Sequence, residues 1–185
     1  MVLFVLYLKI SEMATTSTDV QHHLLGQTLR LLPERAAYWE EQDVLLVADL
    51  HLGKEGTFRS AGIPLPQGPS HETLARLSRA IERSGSSRLV VLGDLFHGDH
   101  AIQAMAESFG RWREHHDWLV MDLINGSHDR WSGDLPGEWG IQVHTSPLQN
   151  GPFTLRHEPG PVDGTYVLAG HIHPGIGLRE SRLGD

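Results

Sequence analysis

The chain has 185 residues, 39% of them hydrophobic and 21% charged, the composition of a soluble globular protein of one domain, long enough to bury roughly 70% of its unfolded surface. It contains no cysteine, which excludes disulfides, zinc fingers and thiol catalysis and leaves only nitrogen and oxygen ligands for any metal. A formal net charge of -8 with His neutral argues against a broad basic surface for nonspecific nucleic-acid binding, yet suits a phosphate-handling site in which divalent cations supply the positive charge.

The first ten residues, MVLFVLYLKI, are apolar but too short to span a bilayer, and lack the basic start and small-residue cleavage site of a secretory signal. The expected location is cytoplasmic, with no membrane contact. Met13 offers a second start codon, so residues 1–12 read as a gene-model extension. Residues 11–23 are polar and expected to fray. The chain then divides into an N-terminal extension, 1–23, and one domain, 24–185.

Thr28–Leu31 and Ala36–Trp39 read as a hairpin around a Pro33-Glu34-Arg35 turn. Val44–Ala48 is a near-continuous apolar run, as in a strand buried on both faces. His71–Arg83 sets Leu74, Leu77, Ala80 and Ile81 on one helical face and stops near Gly85. Leu89–Leu92 is a second buried strand, His100–His116 a second helix and Trp118–Ile124 a third strand. Ile141–Val143, Phe153–Leu155 and Tyr166–Ala169 read as further strands. Strand, helix, strand, helix, strand and then several strands predict a layered α/β fold with a βαβαβ core, in which function gathers at the carboxyl ends of the strands.

Polar residues of one kind stand there. Val44–Ala48 runs into Asp49-Leu50-His51, Leu89–Leu92 into Gly93-Asp94, and Trp118–Ile124 into Asn125-Gly126-Ser127-His128-Asp129. Phe153–Leu155 leads to Arg156-His157, and Tyr166–Ala169 to Gly170-His171-Ile172-His173-Pro174. One Asp after a strand is ordinarily a cap or turn residue and one His a solvated side chain. In G-H-x-H-P, alternation on an extended segment turns both imidazoles to one side. Five such pieces in one order make chance a poor explanation. Carboxylates and imidazoles without thiols suit Mn²⁺, Fe, Mg²⁺ or Zn²⁺.

The ordered set D-x-H, G-D, G-x-H-D, H and G-H-x-H, from Asp49 to His173, resembles the calcineurin-like metallophosphoesterase superfamily. The stretch DLHLGKEGTFRSAGIPLPQG, Asp49 to Gly68, is similar to its branch of ligase-associated DNA damage response endonucleases, encoded beside a DNA ligase and a helicase. The resemblance implies a β-sandwich flanked by helices and two divalent ions, Mn²⁺ foremost. It implies a phosphodiester substrate, DNA in a repair setting, with the ligase and helicase as partners. Asp49, His51 and His173 would hold one ion, and Asp94 would bridge both. His157 and His171 would hold the second, together with the residue at 127. His128 would stand at the scissile phosphate as leaving-group acid or charge stabiliser, with Asp129 orienting it. Two cations roughly 4 Å apart clamp a phosphate and bring the pKa of a bridging water to about 7, so that hydroxide is available for in-line attack.

Two departures stand against that pattern. Ser127 occupies the slot of the family's metal-binding Asn, and a hydroxyl is shorter and a poorer neutral ligand than a carboxamide. The chain also ends in GIGLRESRLGD soon after the last motif, where family members continue with further strands. A truncated or frameshifted gene model, with exposed sheet edges, would follow. These departures favour, as alternatives to a competent enzyme, a weakened or non-catalytic repair-complex subunit. A phosphatase acting on small-molecule phosphates on the same scaffold also fits the motifs.

Around the motifs, Lys54 and Arg59 are candidates for phosphate contacts and Phe58 for base stacking, against the alternative of a loop pinned by one aromatic. His97 is expected near the site as an outer-shell or phosphate-contacting group. Arg130 is a candidate phosphate contact or a solvated loop Arg. Trp39, Trp112 and Trp118 are expected in the core, and Trp131 and Trp139 beside the cleft. His22, His23, His115 and His116 are expected on the surface.

Overall fold

The computed structural model of the chain describes residues 2–4, 19–60, 62, 68–98, 100–131 and 134–173. Its large sheet is built from β2 (Val20–Leu24), β3 (Gln27–Leu32), β4 (Ala36–Trp39), β5 (Val44–Val47), β6 (Arg88–Val91), β7 (Val120–Ile124) and β8 (Ile141–His144), in spatial order β2-β3-β4-β5-β6-β7-β8. The strands from β2 to β5 pair antiparallel, and those from β5 to β8 parallel. A second sheet has the order β1-β11-β10-β9, from β1 (Val2–Phe4), β9 (Leu148–Asn150), β10 (Phe153–Arg156) and β11 (Tyr166–Ala169).

The apolar runs explain the layering. In β5, Leu45 and Val47 face one core cluster, while Val44 and Leu46 face another; in β6, Leu89 and Val91 separate from Val90 in the same way. The first cluster is closed by α2 (Pro69–Ser84) and α3 (Ala101–His115), which contribute Leu74, Leu77, Ile81, Met105 and Phe109. The second is closed by Phe153, Leu155, Tyr166 and Leu168 of the smaller sheet. The result is a helix layer, a seven-stranded sheet and a four-stranded sheet, the layered α/β sandwich that the pattern predicts. α2 begins with Pro69 at its first turn and stops at Gly85 in the left-handed region, φ 68°, two signals readable in the sequence.

Several expectations are corrected. Pairing begins at Val20, inside the stretch read as an extension, and Val2–Phe4 lies parallel to β11. Lys54–Ser60, read as loop, forms a short helix, α1. Trp39 and Trp112 are buried as expected, but Trp118 is 55% exposed because β7 starts two residues after it. Trp139 joins the core beside Phe96 and Phe109. His116 is buried, its ring bonded to the Trp112 carbonyl and stacked on Trp112. The chain end 174–185, expected to be short of strands, lies outside the described residues, as do residues 5–18. Among the described residues no helix is long and apolar enough to cross a membrane.

Candidate metal centre

β5 and β6 do not simply end at the site; their loops run on side by side. The N–H of Asp49 donates to the Gly93 carbonyl at 3.1 Å, that of His51 to Asp94 at 2.9 Å, and that of Leu52 to Leu95 at 2.9 Å. A parallel bridge between Leu52 and Phe96 completes the zipper. Asp49 (φ 54°), His51 (φ 46°), Asp94 (φ 55°) and His171 (φ 69°) all adopt left-handed backbone. Each such residue costs about 1–3 kcal/mol and persists only where the surrounding structure over-determines it. Glycines make room for the rings and carboxylates. A Cβ at Gly93 would lie 2.2 Å from His157 Nδ1, and one at Gly126 would lie 2.2 Å from Asp94 Oδ1.

Two donor triads result, Asp49/His51/His173 and Asp94/His157/His171, each with ligand atoms within 4.8 Å of one another. Asp94 stands between them, Oδ2 lying 3.5 Å from His157 Nε2 and 3.9 Å from His51 Nε2. His157 Nδ1 lies 2.9 Å from the Leu92 carbonyl. A carbonyl only accepts, so Nδ1 carries a proton and Nε2 is the nitrogen that faces the cluster. His157 Nε2 lies 3.0 Å from His171 Nδ1 and 3.5 Å from Asp94 Oδ2, in a pocket where Asp94 is 2% exposed. Among the described residues no Lys or Arg forms an ion pair with Asp94. Asp94, His157 and His171 thus converge with donor types and spacing that fit one divalent cation.

The electrostatics agree. Burial pushes His51 down to about 4, against the pull of Asp94, so the imidazole is neutral and ligand-competent at neutral pH. Burial raises Asp49 above the ordinary carboxylate range, outweighing the His171 N–H at 2.9 Å and the nearby imidazoles. Such a carboxylate is short of positive charge.

No protein-family model and no curated protein matches the chain. Among solved structures, the crystal structure of the Pseudomonas putida nuclease MPE is similar to it, with a TM-score of 0.78 and 38% identity over 88% of this chain and 77% of that one. The chain belongs to the nuclease MPE family.

In this member of the nuclease MPE family, the remaining candidates fall around the triads. His128 gives its backbone N–H to Asp94 Oδ1 at 2.9 Å, and its ring stacks on His97 at 4.3 Å between centroids. His97 Nδ1 lies 3.3 Å from His51 Nδ1, and His51, His97 and His128 form a third cluster with metal-ligand spacing, closer to the centre than the outer-shell place expected of His97. Burial, then His128, holds His97 below the ordinary imidazole value. Ser127 Oγ lies 3.4 and 3.5 Å from the two Asp94 oxygens. Asp129 is a correction. The carboxylate expected to orient the His128 ring instead accepts four backbone N–H groups, from Asp94, Leu95, Phe96 and Gly126, at 2.7–3.2 Å. It clamps the loops after β6 and β7 together, a role invisible in sequence because its partners are main-chain atoms. Lys54 is exposed at the start of α1 and Arg130 is exposed beside Asp129, neither in an ion pair among the described residues. Arg59 belongs to α1, its side chain lying outside the described set.

Proposed function

We propose that the protein hydrolyses phosphodiester bonds of nucleic acid with two divalent cations, Mn²⁺ foremost. The observation that carries the reading is the convergence of His157 Nε2 with the buried Asp94 carboxylate at 3.5 Å and with His171 Nδ1 at 3.0 Å, flanked by a second triad of the same chemistry. The likeness to a nuclease supports nucleic acid over a small-molecule phosphate as substrate. The repair setting, with a ligase and a helicase as partners, rests on the branch resemblance of Asp49 to Gly68.

Asp49, His51 and His173 would hold one cation, and His157, His171 and Ser127 the other, with Asp94 between. When bound, such a pair clamps a phosphate and brings the pKa of a water between them to about 7. The chain's own residues do the rest. His128 and His97, stacked at the open side of His51, present ring nitrogens to the phosphate and to the departing oxygen, His128 as the group that returns a proton to it. Lys54, Arg59 and Arg130 meet the flanking phosphates. The Asp129 clamp fixes the spacing between the Asp94 and His128 loops, on which alignment of attack and departure depends.

The test is metal removal and return. Chelated protein should hydrolyse neither an aryl phosphodiester nor a labelled oligonucleotide, and Mn²⁺ should restore both. A folded, Mn²⁺-loaded sample inert toward both substrates would sink the reading in favour of a non-catalytic subunit.

A further inference from the structure

The end of the sheet opposite the candidate metal centre carries a feature with no part in hydrolysis. Where α3 returns to β7, a groove of about 690 Å³ opens between the last turns of α3, the residues leading into β7 and the turn at Gly137–Trp139. Its apolar lining is unusually open for a water-facing surface, with Trp118 55% and Val120 56% exposed. Trp139 lies at its floor, 4% exposed. The indole Nε1 of Trp139 lies beside Gly110, 3.5 Å from where a Cβ there would be, and among the described residues nothing accepts its N–H.

The walls are mainly acidic. Four carboxylates line the groove, Glu107, Glu114, Asp117 and Glu138, against two guanidiniums. Of these, Arg111 is engaged by Glu107 at 3.3 Å, and Arg113 is turned under the floor to the carbonyls of Trp139, His116 and Leu119. An acidic rim around an apolar floor repels a second copy of itself, and the chain's formal net charge of -8 adds to that repulsion. It equally repels the phosphates of nucleic acid.

We propose that this groove docks an extended segment of a partner protein in which one or two large apolar side chains are flanked by Lys or Arg. The apolar side chains would lie against Trp118 and Val120, a main-chain carbonyl would accept from Trp139 Nε1, and the basic flanks would meet Glu114, Asp117 and Glu138. Placed at the far end of the strands from the site, such a segment would tether the protein and leave the cleft open.

The probe is a library of random nonapeptides selected on the intact protein, with binders then titrated into ¹⁵N-labelled sample. The expected binders carry an apolar or aromatic centre between basic residues and shift the indole signals of Trp118 and Trp139. Trp118→Ala, and separately Asp117→Lys with Glu114→Lys, should each weaken them by at least about tenfold. All three positions are exposed, so these variants should melt like the wild type and hydrolyse an aryl phosphodiester at its rate. Three results would overturn the proposal. They are selection of no peptide, binders that leave both indole signals unmoved, and a concentration-dependent dimer that shifts the same signals without peptide.

Discussion

Two aspartates are buried in and beside the same sheet, and the structure treats them in opposite ways. Asp122, in the middle of β7 and fully buried, accepts from Arg88 Nε at 2.8 Å and lies 2.6 Å from His144 Nε2, its neighbours on β6 and β8. Asp94, just past the end of β6 and nearly as buried, faces the rings of His157 and His51 and a serine hydroxyl. One carboxylate is balanced by the protein's own cation. The other accepts the His128 N–H and, weakly, the Ser127 hydroxyl, and among the described residues no Lys or Arg pairs with it, a setting that suits a bound cation. A buried charge is tolerated where it is paired, which makes Asp122 part of the fold and Asp94 part of a function.

The largest expected effect breaks the second half of that comparison. Asp94→Ala should lower Mn²⁺-dependent hydrolysis of an aryl phosphodiester by at least about a thousandfold, since it removes the group between both triads, and each 1.36 kcal/mol of lost stabilisation is worth about tenfold. In chelator its melting temperature should match or exceed the wild type's, because an uncompensated carboxylate is gone. Added Mn²⁺ should raise the melting temperature of the wild type far more than that of the variant. A variant within tenfold of wild-type rate would return Asp94 to a structural role.

Asp122→Asn should show the reverse. Removing one partner of a buried pair costs about 3 kcal/mol where the other, here the half-buried Arg88, can still reach water. For a chain of this size that is a fall in melting temperature on the order of 10 °C, with Mn²⁺ binding unchanged. Loss of metal affinity comparable to that of Asp94→Ala would erase the distinction.

Acid sharpens the same contrast. Burial alone would raise the Asp122 carboxyl, but the bonds from Arg88 and His144 outweigh it and hold the group below the ordinary carboxylate value. A depressed folded value stabilises the protein above the unfolded pKa, about 3.9, and that contribution is lost as pH falls through the folded value. Urea midpoints of wild type and Asp122→Asn should therefore differ fully at pH 6–7 and converge below roughly pH 4. A gap that does not narrow as the pH is lowered would mean that Asp122 acts through shape and not charge.

The layering was legible because β5 is apolar at every position and β6 at every position after Arg88, and only a strand covered on both faces needs that. The donor candidates could be named because metal ligands are particular side chains at strand ends, and the structure gathers those residues from four loops into two triads with metal-ligand spacing. What stayed hidden has main-chain partners or lacks periodicity. Asp129 looks like any Asp beside a His until its four amide donors are seen. α1 is too short and too glycine-containing to show a helical pattern. Trp118 reads as core by composition, and only the point at which β7 begins leaves it in water.

The smallest effect concerns the one site residue that departs from the family pattern. Ser127 Oγ, 3.4–3.5 Å from both Asp94 oxygens, points its hydroxyl toward the Asp94 carboxylate, the geometry of a weak donor more than of a ligand. A carboxamide reaches one bond further and offers a neutral oxygen. Ser127→Asn should therefore tighten the weaker of two Mn²⁺ ions by about tenfold, within the range that single groups around a metal command. The rate should rise at limiting Mn²⁺ and change little at saturation, a pattern that isolates metal occupancy from chemistry. Unchanged affinity for the second ion would show the serine to be adequate. One tightly held ion per chain in both proteins would instead mean that the second triad binds no metal, and the comparison between Asp94 and Asp122 would then rest on a single cation.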